Sequence, residues 1–256
     1  MKLPLSVIVI TKNEEQNIHN CLELVAPFTR EIIVVDSKST DTTVTIAKKY
    51  TKKIISGTFK NYKEKREIGL RHATQEWILF LDADERVYAP LAKEIQKVIL
   101  SKTFADGYYI PFKHFFLGKW LKHGEWYPSY LPRLAKRSMC NITGPIHELL
   151  AIQGKKSHLQ NPIIHLGDKS LFERVSKSNK YTSFQAKQGV FPTLFFVHLC
   201  FFPIGRFIKG YLFKQGFRDG ILGFIRFVLY SFTLFIVYAK KFELKQNPTV
   251  YDNLEV

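Results

Sequence analysis

WILFLDADERV, residues 77–87, decides how this chain reads. Trp77 to Leu81 are apolar, the length and character of one strand buried on both faces. Asp82, Asp84 and Glu85 follow at once, three carboxylates in four positions. Elsewhere the chain is basic: 38 Lys and Arg face 22 Asp and Glu, a formal net charge of +16. Acid is thus concentrated where a buried strand ends, in a molecule that otherwise carries positive charge.

Upstream, the same grammar repeats. Leu5–Ile10 (LSVIVI) and Glu31–Val35 (EIIVV) read as buried strands, and Lys53–Ser56 as a short one. Between them, Asn13 to Val25 reads as a helix with Ile18, Cys21, Leu22 and Val25 on one face and Asn13 as N-cap. Asp41–Tyr50 reads as a helix that Asp41 caps. Tyr62–Ala73 reads as a helix with Ile68 and Leu70 inward and its basic residues outward. Strands alternating with helices predict a doubly wound, mainly parallel α/β sheet. With 256 residues, 46% hydrophobic and 14% aromatic, one large domain, or one domain with an appendage, is within reach. MKLPLSVIVI reads as the first strand rather than a cleaved leader, since TKNEE follows without a small-residue cleavage site. Cys21, Cys140 and Cys200 have neither metal-ligand spacing nor an even count, and read as reduced residues.

Ligands of an open parallel sheet bind beyond the carboxyl ends of its strands. Three strands here end in polar clusters: Thr11-Lys12-Asn13-Glu14-Glu15, Asp36-Ser37-Lys38-Ser39-Thr40-Asp41 and Asp82-Ala83-Asp84-Glu85. No glycine-rich phosphate loop follows the first strand, so a dinucleotide fingerprint is excluded. A divalent cation held by carboxylates is the alternative, and oxygen ligands with a phosphate substrate suit Mg²⁺ or Mn²⁺. Asp82 and Asp84 are alternate residues on an extended segment, so one can face a nucleotide ribose while the other reaches the metal. A lone Asp-x-Asp is a weak signal; after a buried strand, and beside VVDSKSTD, it is much stronger.

SVIVITKNEEQNI, IIVVDSKSTDTT and WILFLDADERV together resemble the family 2 glycosyltransferases, and among them the lipopolysaccharide-core β-glucosyltransferase group. Weaker similarity runs through GEWYP (124–128), PRL (132–134), GPIHE (144–148) and YLFKQGFRDG (211–220). The resemblance implies the GT-A fold, with a glycosyltransferase domain over 1–185 (a nucleotide-sugar half, 1–105, and an acceptor half, 106–185) and a tail over 186–256. It implies that Thr11 and Glu14 line the uridine pocket, that Asp36 meets the uracil or ribose, and that Lys65 lies near the diphosphate. Asp82 would approach the ribose and Asp84 would bind the metal. It also implies inversion at the anomeric carbon by a general base. Glu148 is the expected base, with Glu125 and Asp106 as competitors. His147 would be a further metal ligand or orient Glu148. Trp126 and Tyr127, like Trp120, would stack on acceptor sugars or serve as ordinary packing, and Arg133 would meet an acceptor phosphate or carboxylate or be structural.

The tail differs in character. Ile204, Phe207, Ile208, Tyr211 and Leu212 fall on one helical face, with Arg206, Lys209 and Lys214 elsewhere. Phe227–Ala239 is apolar for thirteen residues, short of the roughly 20 that span a bilayer. A Phe-rich face with interspersed cations suits a helix lying in a membrane interface. Excess positive charge then serves an anionic membrane and a phosphorylated glycolipid acceptor. The expected reading is a UDP-sugar-dependent transferase, with glucose as the expected sugar, acting at the cytoplasmic face of the inner membrane. Alternatives are a transferase that uses a polyprenyl-phosphate carrier, a nucleic-acid-binding protein and a silent scaffold of the same fold. Strands that end in clustered acids argue against nucleic acid.

Overall fold

Strand β1 (Leu3–Thr11) organises the first part of the chain in this computed structural model, which describes residues 2–101, 105–144, 149–188 and 191–251. It pairs in parallel with β2 (Thr29–Asp36) on one side and β4 (Trp77–Asp82) on the other, and β3 (Ile54–Ser56) extends the sheet beyond β2. Register does the essential work. Thr11 lies opposite Asp36, and Ile10 lies opposite Asp82, so the polar strand ends come out at one level.

The apolar run of β1 is continuous because both faces of the sheet are covered. Leu5, Val7 and Val9 pack with Ile18, Leu22 and Val25 of α1 (Ile18–Val25) and with Leu91 and Ile95 of α4 (Ala89–Leu100). Ile8 and Ile10 point the other way, into a core with Ile33, Val35, Ile78 and Phe80, against which Ile68 and Leu70 of α3 (Tyr62–His72) pack. Each fully buried side chain of this size contributes roughly 1.5–3 kcal/mol of hydrophobic stabilisation. A short helix α2 (Thr43–Ala47) follows β2.

Past β4 the sheet changes direction. Strand β8 (Ser129–Lys136) runs antiparallel to β4, and β6 (Gly107–Phe116) runs antiparallel to β8. The two-residue β5 (Glu85–Arg86) pairs antiparallel with β12 (Ile163–His165), which sets His165 opposite Glu85. Strand β11 (Lys156–His158) lies parallel to β6, and β9 (Cys140–Thr143) with β10 (Leu149–Ile152) makes a separate hairpin.

The chain divides into two units: Met1–Lys113 with Ser129–Leu166, and His114–Pro128 with Gly167–Val256. The second unit holds β7 (Lys119–Trp120), α5 (Leu171–Lys187), α6 (Phe195–Phe207) and α7 (Gly220–Gln246). A π-helical turn (Ile208–Phe213) and a 3-10 turn (Gly216–Asp219) join α6 to α7. Phe227 of α7 is only 1% exposed. A Cβ on Gly210 would lie 1.9 Å from its ring, and one on Gly216 2.4 Å away, so these glycines make the socket. Lys240, buried on α7, donates to Asn179 Oδ1, Thr182 Oγ1 and Ser183 Oγ of α5 and so ties the two helices.

Two expectations need correction. Asn13 does not cap a helix: it sits at φ +53°, its Oδ1 accepts from Thr40 N at 2.8 Å, and α1 begins only at Ile18. The loop after β1 is docked on the loop after β2, which delays the helix. In α3 the buried residues are Lys65, Arg66 and Gly69, whereas Ile68 and Leu70 are half-buried. Ile68 and Leu70 still pack against the core as expected, but Lys65 and Arg66 turn inward rather than outward.

Candidate active site

The site is built on β4. Its last residue, Asp82, keeps 32% of its side chain exposed beyond the sheet edge. Arg66 of α3 donates from Nη2 to Asp82 Oδ1 at 3.0 Å. Arg133 of β8 donates from one Nη2 to Asp82 Oδ2 at 3.3 Å and to Glu85 Oε1 at 2.6 Å. Glu85 is 1% exposed, and its Oε2 accepts the backbone N–H of Asp82 at 3.0 Å, closing the turn. Arg86 Nη1 donates to the carbonyl of Ala83 at 2.8 Å. The Asp-Ala-Asp-Glu turn is therefore fixed from several directions before any ligand arrives.

Asp84 points at the end of β12. Its Oδ2 lies 3.1 Å from His165 Nε2, and its carbonyl accepts from Leu166 N at 3.1 Å. Three acids thus face three cations, and the acid concentration that stood out in the sequence is largely balanced by Arg66, Arg133 and His165.

Titration follows from this pairing. Burial alone would raise the Asp82 pKa; Arg66 and Arg133 outweigh it and hold the carboxyl at about 2. Burial pushes Glu85 upward, with Arg133 pulling against it and Asp82 adding to it. Burial would lower His165, but Asp84, backed by Glu85 and Asp82, raises it to about 9.

Helix α3 reaches this turn because of one glycine. A Cβ on Gly69 would stand 2.4 Å from Ile8 Cγ2, so only glycine lets the helix lie this close to the sheet. The Asn61 side chain caps the helix by accepting from Glu64 N at 2.9 Å, while Glu64 reaches back to Lys60 N at 2.6 Å. Lys65, one residue before Arg66, is 3% exposed, with its ammonium 4.5 Å from the Tyr62 ring centroid.

Around the neighbouring strand ends, Asp36 is fully buried. It accepts from Ser39 N at 3.0 Å, from the Ser39 hydroxyl and from Ser56 Oγ at 2.6 Å. Thr11 is 5% exposed, and its Oγ1 makes no hydrogen bond among the described residues. Glu14 Oε2 accepts from Asn17 Nδ2 at 2.7 Å, and Asn17 Oδ1 in turn accepts from Arg86 at 3.3 Å.

Glu148 and His147 lie outside the described residues. Of the competing bases, Asp106 pairs with Lys136 at 3.0 Å and accepts from Lys155 N at 3.0 Å, while Glu125 pairs with Arg206 at 2.8 Å. Both are engaged as ion-pair partners. Arg133, the expected acceptor contact, gives its Nη2 to Asp82 and Glu85, and its guanidinium lies 5.2 Å from the Phe112 ring centroid. Trp126 and Tyr127 lie in the second unit, where Tyr127 meets Trp120 edge-on at 5.2 Å.

Sequence reasoning missed Arg66, Glu85 and His165. Glu85 was in view within the acidic turn but had no assigned role. Arg66 carried a signal in the small apolar content of YKEKREIGL. His165 ends an apolar run, Ile163-Ile164, as Asp82 does; only strand pairing reveals its partner.

Among the described residues no group of three or more His, Cys, Asp or Glu side chains could cage a metal. The Asp84–His165 pair still fits a cation. Neighbouring ligands of an octahedral ion with bonds of about 2.1 Å stand about 3 Å apart, close to the observed separation. A hard cation that keeps water and phosphate oxygens as its other ligands needs only such a pair, and would replace the proton between the two side chains.

Comparison with known proteins identifies the family and the fold. The profile of the family described as Glycosyl transferase family 2 matches residues 6–156. The lipopolysaccharide core biosynthesis glycosyltransferase LpsC of Rhizobium meliloti is 26% identical, over 99% of this chain and 98% of its own. An uncharacterized glycosyltransferase of Rickettsia typhi is 29% identical, over 94% of this chain and 87% of its own. Among solved structures, glucosyl-3-phosphoglycerate synthase from Mycobacterium tuberculosis, in complex with Mn²⁺, UDP and phosphoglyceric acid, aligns with a TM-score of 0.51. It is 15% identical and the alignment covers 71% of this chain and 76% of that one. The shared architecture is the GT-A fold.

Proposed function

This chain belongs to glycosyl transferase family 2, and on that premise we propose that it is an inverting, metal-dependent hexosyltransferase. In this reading it moves a sugar, glucose in the first instance, from a UDP-sugar to a lipopolysaccharide-core or related glycolipid acceptor. The observation that carries the reading is the fixed turn at the end of β4, where Asp82 is held by Arg66 and Arg133 and Asp84 meets His165. The acceptor class rests on likeness to LpsC along nearly the whole of both chains.

Each residue has a task. Asp82, ionised throughout the neutral range, is held at a fixed angle to accept from the ribose hydroxyls. Thr11, Glu14 and Asp36 line the uridine side. Lys65 and Arg66, on the inward face of α3, supply positive charge toward the diphosphate. Asp84 and His165 hold the divalent cation. An imidazole ligand favours Mn²⁺ over the harder Mg²⁺. That cation, when bound, stabilises the negative charge that develops on the departing diphosphate. Glu148 is the proposed base on the acceptor hydroxyl, on the face of the sugar opposite the leaving group. Trp126 and Tyr127 are proposed acceptor contacts.

Membrane association is part of the proposal. Two helical stretches of the second unit, Phe195–Phe213 and Gly216–Gln246, are long and apolar enough to cross a membrane by length and composition. Their exposed side chains include Phe196 at 76%, Phe201 at 66% and Phe213 at 78%. Arg206, Lys209, Lys214 and Arg218 are interspersed, and the polar ties of Lys240 keep α7 on α5. This pattern suits a surface lying in the interface at the cytoplasmic face of the membrane.

The test is product analysis. The purified chain with Mn²⁺, a panel of UDP-sugars and a core-oligosaccharide acceptor should yield one glycosylated product of inverted anomeric configuration by NMR. Transfer with retained configuration would contradict the mechanism, and transfer only to a polyprenyl phosphate would replace the acceptor.

A further inference from the structure

A second cluster of charge lies wholly within the second unit, and neither the family nor the site on β4 explains it. Arg226 of α7 stacks on Trp126, its Cζ 4.4 Å from the ring centroid, and faces Phe116 at 5.5 Å. Asp168 pairs with Arg174 at 3.7 Å and with Lys177 at 3.4 Å, both on α5. Arg174 and Asp168 both act on the Arg226 charge, Arg174 in opposition. One carboxylate therefore serves three cations.

Hydrogen bonding is incomplete in the same place. Arg226 Nη1, Arg174 Nε and Trp126 Nε1 are buried and have no hydrogen-bond partner among the described residues. A buried donor without an acceptor is costly, and two guanidiniums brought together in an aromatic setting are more so. Aromatic stacking holds Arg226 by its flat face, which leaves its N–H edge for an in-plane acceptor. An oxyanion would answer both deficits, since it adds negative charge and accepts from several N–H groups at once.

We propose that Arg226, Arg174 and the indole N–H of Trp126 form a binding site for an oxyanion, a phosphate carried by the acceptor glycolipid. The proposal rests on the glycolipid-transferase reading above and adds to it the chemical group recognised. Guanidinium forks match phosphate oxygens in pairs, and Lys177, whose side chain is 51% exposed, extends the positive charge of the cluster to the surface. A phosphate can come from the acceptor's sugar or from the headgroup of a surrounding lipid.

The experiment uses the full chain with Mn²⁺ and saturating UDP, so that the site on β4 is filled. Inorganic phosphate and glucose 6-phosphate are titrated by calorimetry in one arm. In the other, binding to phosphatidylcholine vesicles with and without phosphatidylglycerol is measured by sedimentation. Variants are Arg226→Gln, Arg174→Gln and the milder Arg226→Lys, each checked by its thermal transition. Arg226→Gln should weaken phosphate binding by about tenfold or more, the cost of a lost charged hydrogen bond. Phosphate should raise the thermal midpoint of the parent and not of this variant, which a purely structural arginine would not produce.

A loss confined to the soluble arm assigns the site to a sugar phosphate, and a loss confined to the vesicle arm assigns it to lipid headgroups. Equal binding by folded Arg226→Gln and parent in both arms, or no binding by the parent in either, overturns the proposal. UDP binding separates the two readings. If the parent fails to bind UDP, the donor reading falls; if UDP binds but no phosphate does, only the oxyanion site falls.

Discussion

His165 Nε2 and Asp84 Oδ2 lie 3.1 Å apart although 81 positions separate them in sequence. Pairing of β12 with β5 brings them together, and each keeps enough exposure to meet a ligand. If this pair holds the cation, His165→Ala should lower Mn²⁺-supported UDP affinity by at least the 10–100-fold that outer-shell losses cost at metal sites. The preference for Mn²⁺ over Mg²⁺ should shrink in the same variant. Unchanged affinity and unchanged preference would remove His165 from the metal site.

Arg133 is buried between Asp82 and Glu85, so removing it leaves two acids without their shared partner. Arg133→Met should cost about 3–5 kcal/mol of stability, read from denaturant unfolding. Arg133→Lys should recover only part, because one ammonium cannot reproduce the fork. Equal stability of Arg133→Met and parent would show that the charge balance drawn here is wrong.

Gly69→Ala tests how α3 is seated. The added methyl would meet Ile8 Cγ2 at 2.4 Å, and overpacking of this kind costs about 1–3 kcal/mol. The helix would shift away from the sheet and carry Arg66 off Asp82, so UDP affinity should fall as well. Loss of stability without loss of affinity would separate the helix position from the site.

Much of this arrangement was legible in the sequence, and the reasons differ by element. The parallel half could be read because β1, β2 and β4 are buried on both faces, and such strands are written as unbroken apolar runs. Asp82 and Asp84 stood out because acid interrupts one of those runs. The inward face of α3 was legible only in part. Helix periodicity turns Ile68 and Leu70 inward, and they pack on the core, but it gives no sign that Lys65 and Arg66 are buried too, Arg66 against Asp82 of the acidic turn. His165 was hidden for another reason: β5 and β12 are two and three residues long, too short for any periodic signal. The apolar run Phe227–Ala239 belongs to a helix more than twice its length, since the charged residues at both ends continue α7.

Acid stability should depend on Glu31, which is 8% exposed. Burial would raise its pKa; Lys53, Ser6 and Thr74 outweigh this and hold it at about 2. A folded pKa below the unfolded one gives stability that is complete above the ordinary pKa of 4.5 and is lost as pH falls from there through about 2. Thermal midpoints measured across that window should fall steeply for the parent. Glu31→Gln should flatten this dependence and lower neutral-pH stability by about 1–3 kcal/mol.

The exposed phenylalanines of α6 and the π-helical turn should matter for membrane binding and little for folding. Replacing Phe196, Phe201 and Phe213 together by Ser should leave unfolding free energy within about 0.5 kcal/mol per site. Partitioning to anionic vesicles should drop by tenfold or more, each buried Phe contributing up to roughly 1.5–3 kcal/mol. A large loss of stability with unchanged partitioning would mean that these side chains pack within the protein.

The central claim is that the turn after β4 holds a cation and, through it, a uridine diphosphate. Calorimetric titration of UDP with and without Mn²⁺, on the parent and on Asp84→Asn, tests it most directly. The account predicts Mn²⁺-dependent binding that Asp84→Asn abolishes while its thermal transition stays cooperative. UDP binding of equal strength with and without Mn²⁺, or unaltered in Asp84→Asn, would contradict it.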